Sequence, residues 1–261
     1  MTQVVVVTAP AKLTLGLRIT GVRADGYHLI DAEMVTLAIH DTLTITPVTT
    51  AGAEANGLSG HGPYAPGVPF DATNLVAKAL RLVGRHADVH LHKAIPHGGG
   101  LGGGSADAAA VLRWAGWDDL VAASRLGADV PFCLVGGRAQ VRGIGELVDP
   151  LPFEPLDVTL VIPPLHVDTP AAYRAWDALG GPHATGDNDL EPAAIAAVPA
   201  LARWRDRIAE AVGTPPSLAG SGATWFLRGH GHHDLARALP DATVVLTSTV
   251  RGHGDGDGDG G

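Results

Sequence analysis

Hydrophobic and polar positions along the chain alternate between strand-like and helix-like patterns. β-Branched and alternating apolar residues predict strands at 4–7, 13–19, 43–46, 89–91, 139–142, 158–162, 224–227 and 243–249. Apolar residues at helical spacing predict helices at 74–86, 105–114, 119–126, 190–198, 201–212 and 233–239, and another beginning at Thr169-Pro170. Segment 8–12 separates the first two predicted strands, 21–26 is a predicted turn, and 49–70 is a predicted irregular excursion or hairpin tip. Because strands and helices do not alternate strictly, an α+β fold is favoured over a doubly wound parallel sheet.

Composition and charge exclude several classes of protein. With 18 basic and 27 acidic residues the formal net charge is −9, whereas binding to polymeric nucleic acid depends on a basic surface. No run of about 18 apolar residues predicts a transmembrane helix, and the N-terminal residues do not have the pattern of a secretory signal. The single cysteine, Cys133, lies in an apolar run and is predicted to be a buried hydrophobic side chain. We therefore expect a cytoplasmic protein with no nucleic-acid polymer and no membrane as partner.

Two low-complexity stretches contain residues that can bind metal ions, but neither is predicted to be a metal site. The last ten residues, 252–261, consist mainly of Gly and Asp and contain no apolar side chain, so disorder is predicted. Calcium-binding repeats also require a periodic apolar residue and stacked copies, which this tail lacks. The histidine-rich stretch 230–233 is predicted to be a solvated loop.

The strongest chemical signal is a glycine-rich loop between a predicted strand and a predicted helix. It runs from Pro96 to Ala109 and has six glycines between Gly98 and Gly104. Glycines cost backbone entropy, so such a loop is favoured only where side chains must be absent. A loop that opens a helix points backbone N–H groups at one place, which is the geometry that binds phosphate. Ser105 adds a hydroxyl for a phosphate or for Mg²⁺.

The loop fits neither common nucleotide-binding motif. No Lys-Ser or Lys-Thr pair ends it, as a Walker loop requires, and it lacks the acidic residue of a dinucleotide-binding fingerprint. Phosphoryl transfer also needs a base for the attacking hydroxyl and a cation for the developing charge. Asp129 is an acid within an apolar segment, and Lys12 is the only lysine before residue 78. Acids are seldom buried without a partner, so Asp129 is a candidate catalytic base. Lys12 interrupts two predicted hydrophobic strands and is the candidate cation.

Five segments in order, 10–13, 23–28, 96–109, 126–132 and 219–224, carry a family resemblance. Together they resemble the 4-diphosphocytidyl-2-C-methyl-D-erythritol kinases, a family of GHMP kinases. The glycine loop alone indicates only the wider GHMP kinases, whereas Asp25-Gly26-Tyr27-His28 and Gly127-Ala128-Asp129-Val130-Pro131 narrow the match. The resemblance spans about 4–249 of the chain.

The resemblance implies a two-domain α+β GHMP kinase fold with the active site in the cleft between domains. We place an N-terminal ATP-binding domain at 1–150, a C-terminal domain at 151–250 and a disordered tail at 251–261. It implies phosphorylation of the 2-hydroxyl of a small-molecule cytidine-diphosphate substrate, with ATP and Mg²⁺, in non-mevalonate isoprenoid synthesis. A monomer or a homodimer is expected.

The resemblance also assigns roles to individual residues. Asp129 is the expected general base and Lys12 its partner, which stabilises the nascent alkoxide. The expected ATP-binding residues are Asn74 and Lys93 near the adenosine, with Pro96, Gly98, Gly99, Gly100, Leu101, Gly102, Gly103, Gly104 and Ser105 at the triphosphate, Ser105 also as a metal ligand. The expected substrate-binding residues are Thr14, Tyr27, His28, Thr169 and Tyr173, with Tyr27, His28 and Tyr173 on the cytosine.

The chain departs from the family pattern in three places. Thr14 stands where Asn is usual, Gly98-Gly99 stands where a Gly-Ala pair is common, and the segment between Trp114 and Leu126 is about a dozen residues short. Two alternatives stay open: another GHMP kinase acting on mevalonate derivatives, homoserine or a sugar, and a catalytically inactive nucleotide-binding homologue. The base-binding residues argue against the first and an intact Lys12 and Asp129 against the second.

Overall fold

A computed structural model describes residues 3–48, 57–96, 98–232 and 234–253. Strands and helices mix along this part of the chain, which confirms the α+β expectation. The strands are β1 Val5–Val22, β2 His28–Pro47, β3 Leu58–His61, β4 Ala87–His92, β5 Arg138–Gly143, β6 Leu147–Leu151, β7 Asp157–Ile162, β8 Ser217–Leu218, β9 Trp225–Arg228 and β10 Thr243–Ser248. The helices are α1 Leu75–Leu82, α2 Gly103–Trp114, α3 Leu120–Ser124, α4 Val130–Val135, α5 Thr169–Ala178, α6 Glu191–Ala197, α7 Ala200–Val212 and α8 Leu235–Ala238. None of these helices has the length and apolar character to cross a membrane.

The first sheet is built on a long antiparallel hairpin of β1 and β2. β2 also pairs with β4 and β5, and β3 and β6 extend the sheet at its two ends. The prediction of two separate strands before residue 20 is wrong, because β1 is continuous from Val5 to Val22. Its register shifts between Pro10 and Lys12, where proline has no N–H for the ladder. The strand therefore passes the polar segment without ending.

The second sheet has the order β10-β7-β9-β8. The last strand of the first sheet ends at Leu151 and β7 begins at Asp157, so the expected boundary between 150 and 151 falls at the end of β6, one residue before this connection. One apolar cluster nevertheless joins both sheets, because Leu13 and Leu37 of the first pack with Leu160 and Phe226 of the second. The two-domain boundary stays a prediction, and the structure adds a core that both sheets share.

Several short elements escape the sequence patterns. Strands β3, β6 and β8 and helix α4 were not predicted from the sequence. The prediction that Cys133 is a buried hydrophobic side chain is confirmed, and burial, with the charge of Asp129, raises the pKa of this thiol to about 12.

Two residues near the described chain end, Gly252 and His253, contact the body of the protein. Gly252 forms a bridge with Gly136, and the His253 amide donates to the Val135 carbonyl at 3.4 Å. Burial lowers the pKa of the His253 imidazole to about 4, and Arg113 adds to the shift. The disordered tail at 251–261 stays a prediction, and its residues 254–261 lie outside the described residues. So do 49–56 of the predicted excursion and residue 233 at the predicted helix start.

Candidate active site

The glycine loop ends in helix α2, which begins two residues earlier than predicted. Gly102 is the N-cap in the left-handed region, with φ of 71°, and no side chain caps the helix. The Ala106 amide is the first to bond within the helix, to the Gly102 carbonyl. The amides of Gly103, Gly104 and Ser105 lie in the first turn, where helical N–H groups have no intrahelical partner. These are the amides that we expect to bind phosphate.

Lys12 and Asp129 lie together beside this helix end. Lys12 Nζ is 3.2 Å from Asp129 Oδ2, and the lysine side chain is 7% exposed while the aspartate is 30% exposed. The Lys12 amide donates to the Leu101 carbonyl at 3.0 Å, which fixes β1 against the loop. A Cβ at Gly102 would lie 2.7 Å from Lys12 Cγ, so glycine is needed there for the lysine stem to pass. The structure thus brings together the base and cation that the sequence predicts.

A second glycine segment closes over the loop from the other sheet. The Thr224 amide donates to the Gly99 carbonyl at 3.3 Å. A Cβ at Gly222 would lie 2.4 Å from the Gly99 carbonyl oxygen, and a Cβ at Gly99 would lie 2.4 Å from Thr224 Oγ1. The two segments therefore pack backbone to backbone, which explains why the family-like motif at 219–224 accompanies the glycine loop.

A cavity of about 350 Å³ opens on the loop, a volume typical of small-molecule sites. Its lining comprises residues 67–69 and 73–75, Lys93, Ile95, Pro96, Gly98, Gly100, Leu101, Gly102, Gly103, Gly104 and Asp107. Two of the residues expected at ATP are not part of this lining. Gly99 is buried, and Ser105 lies in the first turn of α2. Asn74 caps α1 by accepting from the Val76 amide at 2.9 Å and donating to the Pro69 carbonyl at 2.6 Å.

Lys93 lines the cavity, but its ammonium group is already paired with two carboxylates. It forms buried ion pairs with Asp41 and Asp107. Asp41 Oδ1 also accepts from the amides of Ala94 and Ile95 at 2.6 and 2.8 Å. The cluster ties the strand that precedes the loop to the helix that follows it. The ammonium group of Lys93 is thus paired within the protein, although Lys93 and its partner Asp107 both line the cavity.

Asp41 and Asp107 were missed by the sequence analysis. Burial opposes the Lys93 ammonium, yet the charges of Asp107 and Asp41 together raise the pKa of this lysine. Burial, with the charge of Asp41, raises the pKa of Asp107 to about 7 against the opposing effect of Lys93. Asp107 Oδ1 is buried without a hydrogen-bond partner among the described residues. The signal that singled out Asp129, an acid among apolar residues, applies equally to Asp107 in its alanine-rich helix.

Two of the expected cytosine-binding residues, His28 and Tyr173, lie against each other between β2 and α5. The rings of His28 and Tyr173 have centroids 4.8 Å apart, and Trp176 meets His28 edge-on at 5.4 Å. Burial, with the charge of Asp129, raises the pKa of Tyr173 to about 12. Tyr27 is 58% exposed, with the Arg23 guanidinium 5.4 Å from its ring centre. The sandwich of a base between Tyr27 and Tyr173 stays a prediction, and the structure adds Trp176 to the group.

The remaining expected positions lie around the catalytic pair. Thr14 Oγ1 accepts from Lys12 Nζ at 3.3 Å, so the residue that departs from the family pattern contacts the lysine that we expect to be catalytic. The Thr169 hydroxyl is 2.9 Å from that of Ser221, in the second glycine segment.

In the region between Trp114 and Leu126, which is shorter than in the family pattern, the Trp117 amide donates to the Leu112 carbonyl at 3.0 Å and closes the end of α2.

Comparison with known proteins gives this site a family. Residues 72–137 match the model of the GHMP kinase N-terminal domain. The 4-diphosphocytidyl-2-C-methyl-D-erythritol kinase of Paracoccus denitrificans is 42% identical over 241 residues, covering 84% of each chain. The same-named enzyme of a Jannaschia species is 38% identical over 262 residues, covering 91% of this chain and 92% of its own.

Solved structures agree with these relatives. A crystal structure of 4-(cytidine 5'-diphospho)-2C-methyl-D-erythritol kinase is 32% identical with a TM-score of 0.71, covering 94% of this chain and all of that one. Homoserine kinase from Cytophaga hutchinsonii, at 18% identity and a TM-score of 0.61, is similar in fold alone. Because these same-named relatives are 32–42% identical over 84–94% of this chain, the chain belongs to the 4-diphosphocytidyl-2-C-methyl-D-erythritol kinase family of GHMP kinases.

Proposed function

We propose that the protein transfers the γ-phosphoryl group of ATP to the 2-hydroxyl of 4-diphosphocytidyl-2-C-methyl-D-erythritol, a step of non-mevalonate isoprenoid synthesis. The observation that carries the proposal is the 3.2 Å contact between Lys12 Nζ and Asp129 Oδ2 at the phosphate-binding end of α2. An inactive homologue would have no need to keep a buried cation beside a carboxylate there. The names of the relatives support the same substrate.

The geometry divides the chemistry between these two side chains. Asp129 is partly exposed and accepts the proton of the attacking hydroxyl, while the Lys12 ammonium faces the negative charge that develops on that oxygen. Thr14 Oγ1 accepts a hydrogen bond from Lys12 Nζ and so orients the ammonium group. The amides of the first turn of α2 hold the triphosphate of ATP in line with the hydroxyl. Phosphoryl transfer depends mainly on this positioning and on charge stabilisation.

The residues present also fit Mg²⁺ carried by ATP. This ion prefers oxygen ligands, and in such sites it takes one or two protein oxygens together with phosphates and water. Ser105 offers a hydroxyl in the first turn of α2, beside the amides expected to hold phosphate. When bound, Mg²⁺ neutralises charge on the phosphates. We therefore propose Ser105 as its protein ligand.

The test is ADP formation that depends on the diphosphocytidyl substrate. The wild-type protein should form ADP and a product one phosphoryl group heavier with this substrate, and should not with homoserine, mevalonate or a hexose. Asp129→Asn should lower kcat by about 10²- to 10⁴-fold while ATP still binds. The matched control is Asp118→Asn, which removes the same charge at an exposed position. Turnover of homoserine or mevalonate in place of the diphosphocytidyl substrate would refute the proposal, as would full activity of Asp129→Asn.

A further inference from the structure

The candidate cytosine-binding cluster contains a carboxylate that neither the sequence analysis nor the proposed mechanism uses. Asp177 Oδ1, in the last turn of α5, lies 2.8 Å from Nε2 of His28, at the start of β2. The histidine side chain is 9% exposed and the aspartate 51% exposed. The contact joins residues that are 149 positions apart in the chain. A histidine expected to read a base is thus held by a charged partner from the other half of the molecule.

This contact decides which nitrogen of His28 carries the proton. An ionised carboxylate only accepts hydrogen bonds, so Nε2 must donate to Asp177. In the neutral ring the other nitrogen, Nδ1, then has a free lone pair and is an acceptor. No hydrogen bond from the described residues engages Nδ1. The histidine therefore presents an acceptor to whatever binds beside it.

The aromatic neighbours keep the ring in this orientation. Tyr173 lies against His28 with an interplanar angle of 33°, and Trp176 meets it at 86°. The Trp176 indole is itself fixed, because Nε1 donates to the Pro182 carbonyl at 2.9 Å. A ring flip would have to break the Asp177 contact within this packing, so the acceptor stays on one side.

We propose that Asp177 is a positioning residue for base selection: it fixes His28 Nδ1 as an acceptor for the exocyclic amino group of cytosine. This inference rests on the proposed function. On the pairing edge of cytosine only the amino group donates, whereas uracil has a carbonyl acceptor at the same position. With uracil, two acceptors would face each other unless the proton moved to Nδ1, which would leave the carboxylate of Asp177 facing a lone pair. Asp177 therefore selects against uracil by making that tautomer costly.

The experiment compares binding of CDP and UDP by calorimetry. The wild type should bind CDP at least about tenfold more tightly than UDP, the ratio that one well-placed hydrogen bond supplies. Asp177→Ala should bring the ratio close to one and raise KM for the diphosphocytidyl substrate, with kcat largely kept. Asp177→Asn should reduce the ratio less, because its amide can either accept or donate. Asp206→Asn, which removes an exposed charge of α7 that pairs with Arg205, should leave the ratio unchanged.

A double variant separates positioning from a structural role. If Asp177 acts through His28, adding Asp177→Ala to His28→Ala should not change the CDP-to-UDP ratio further. A wild type that binds neither nucleotide would overturn the proposed function, and the inference with it. A wild type that prefers CDP, with Asp177→Ala and Asp177→Asn keeping that preference, would overturn the inference alone. Should Asp177→Ala fail to fold by circular dichroism, the Asp177→Asn ratio decides.

Discussion

Replacing Asp107 by asparagine should change how stability depends on pH. Asp107 is 3% exposed and shares Lys93 with Asp41, and burial raises its pKa from 3.8 to about 7. A carboxyl group with a raised pKa in the folded state binds a proton more readily there than in the unfolded chain. Its contribution to stability is therefore present at low pH and is lost as the pH rises through about 7.

The size of the effect follows from the two pKa values. For a folded pKa of about 7 and an unfolded pKa of 3.8, linkage gives a loss of about 1.4 kcal/mol in the free energy of unfolding between about pH 6 and about pH 8. Asp107→Asn cannot titrate, and its amide oxygen still accepts from Lys93. The Asp41–Lys93 pair then carries no excess negative charge. The difference between wild type and variant should thus shift in favour of the variant by this amount as the pH rises.

Urea unfolding at pH values of about 6, 7 and 8 and constant ionic strength measures the difference directly. The other titrating groups occur in both proteins, so their contributions cancel in the comparison. Asp118→Asn, at an exposed position, is the control and should give a pH dependence parallel to that of the wild type. If Asp107→Asn also ran parallel to the wild type, the raised pKa of Asp107 would be refuted.

Three further predictions concern the loop, the chain end and the base site. Gly99→Ala should lower the free energy of unfolding by about 1–3 kcal/mol, because its Cβ meets Thr224 Oγ1 at 2.4 Å; Thr224→Ala should restore most of the loss in urea unfolding, and an unrescued double variant would contradict the clash. A chain ended before Gly252 should be about 1 kcal/mol less stable than one ended after His253, since the bridge and a hydrogen bond are lost. The chain ended before Gly252 should also lose less stability as the pH falls from 6.5 to about 4. Over that range the longer chain loses the stability that the neutral His253 imidazole contributes, because the pKa of His253 is lowered in the folded state. Equal melting temperatures and parallel pH curves would contradict both points. Tyr27→Ala should raise KM for the diphosphocytidyl substrate about ten- to a hundredfold with a smaller fall in kcat, because base stacking is worth about 1–3 kcal/mol; an unchanged KM in steady-state assays would count against stacking by this exposed ring.

Much of the fold and part of the site could be predicted from the sequence alone. The spacing of apolar residues predicted α7 nearly to the residue, since a helix with one buried face repeats its period often enough to be recognised. A short run of β-branched and apolar residues predicted β7, which is buried at five successive positions. The glycine loop was predictable because its chemistry is local: backbone amides at a helix start need only neighbouring residues. Lys12 and Asp129 stood out as charges within apolar segments, and the family resemblance paired them.

Tertiary structure alone decided the contacts between residues distant in the chain. The pairing of Lys93 with Asp41 spans 52 positions, and that of His28 with Asp177 spans 149. No local pattern encodes such a pairing, because it depends on which strand and helix ends the packing brings together. The same holds for β1, where pairing with β2 carries the strand past Pro10. The sequence by itself thus determined many of the elements and the glycine loop. Folding determined that Lys93 lies between two buried carboxylates and that Nε2 of His28 faces Asp177, because burial and partner choice are properties of the packed chain.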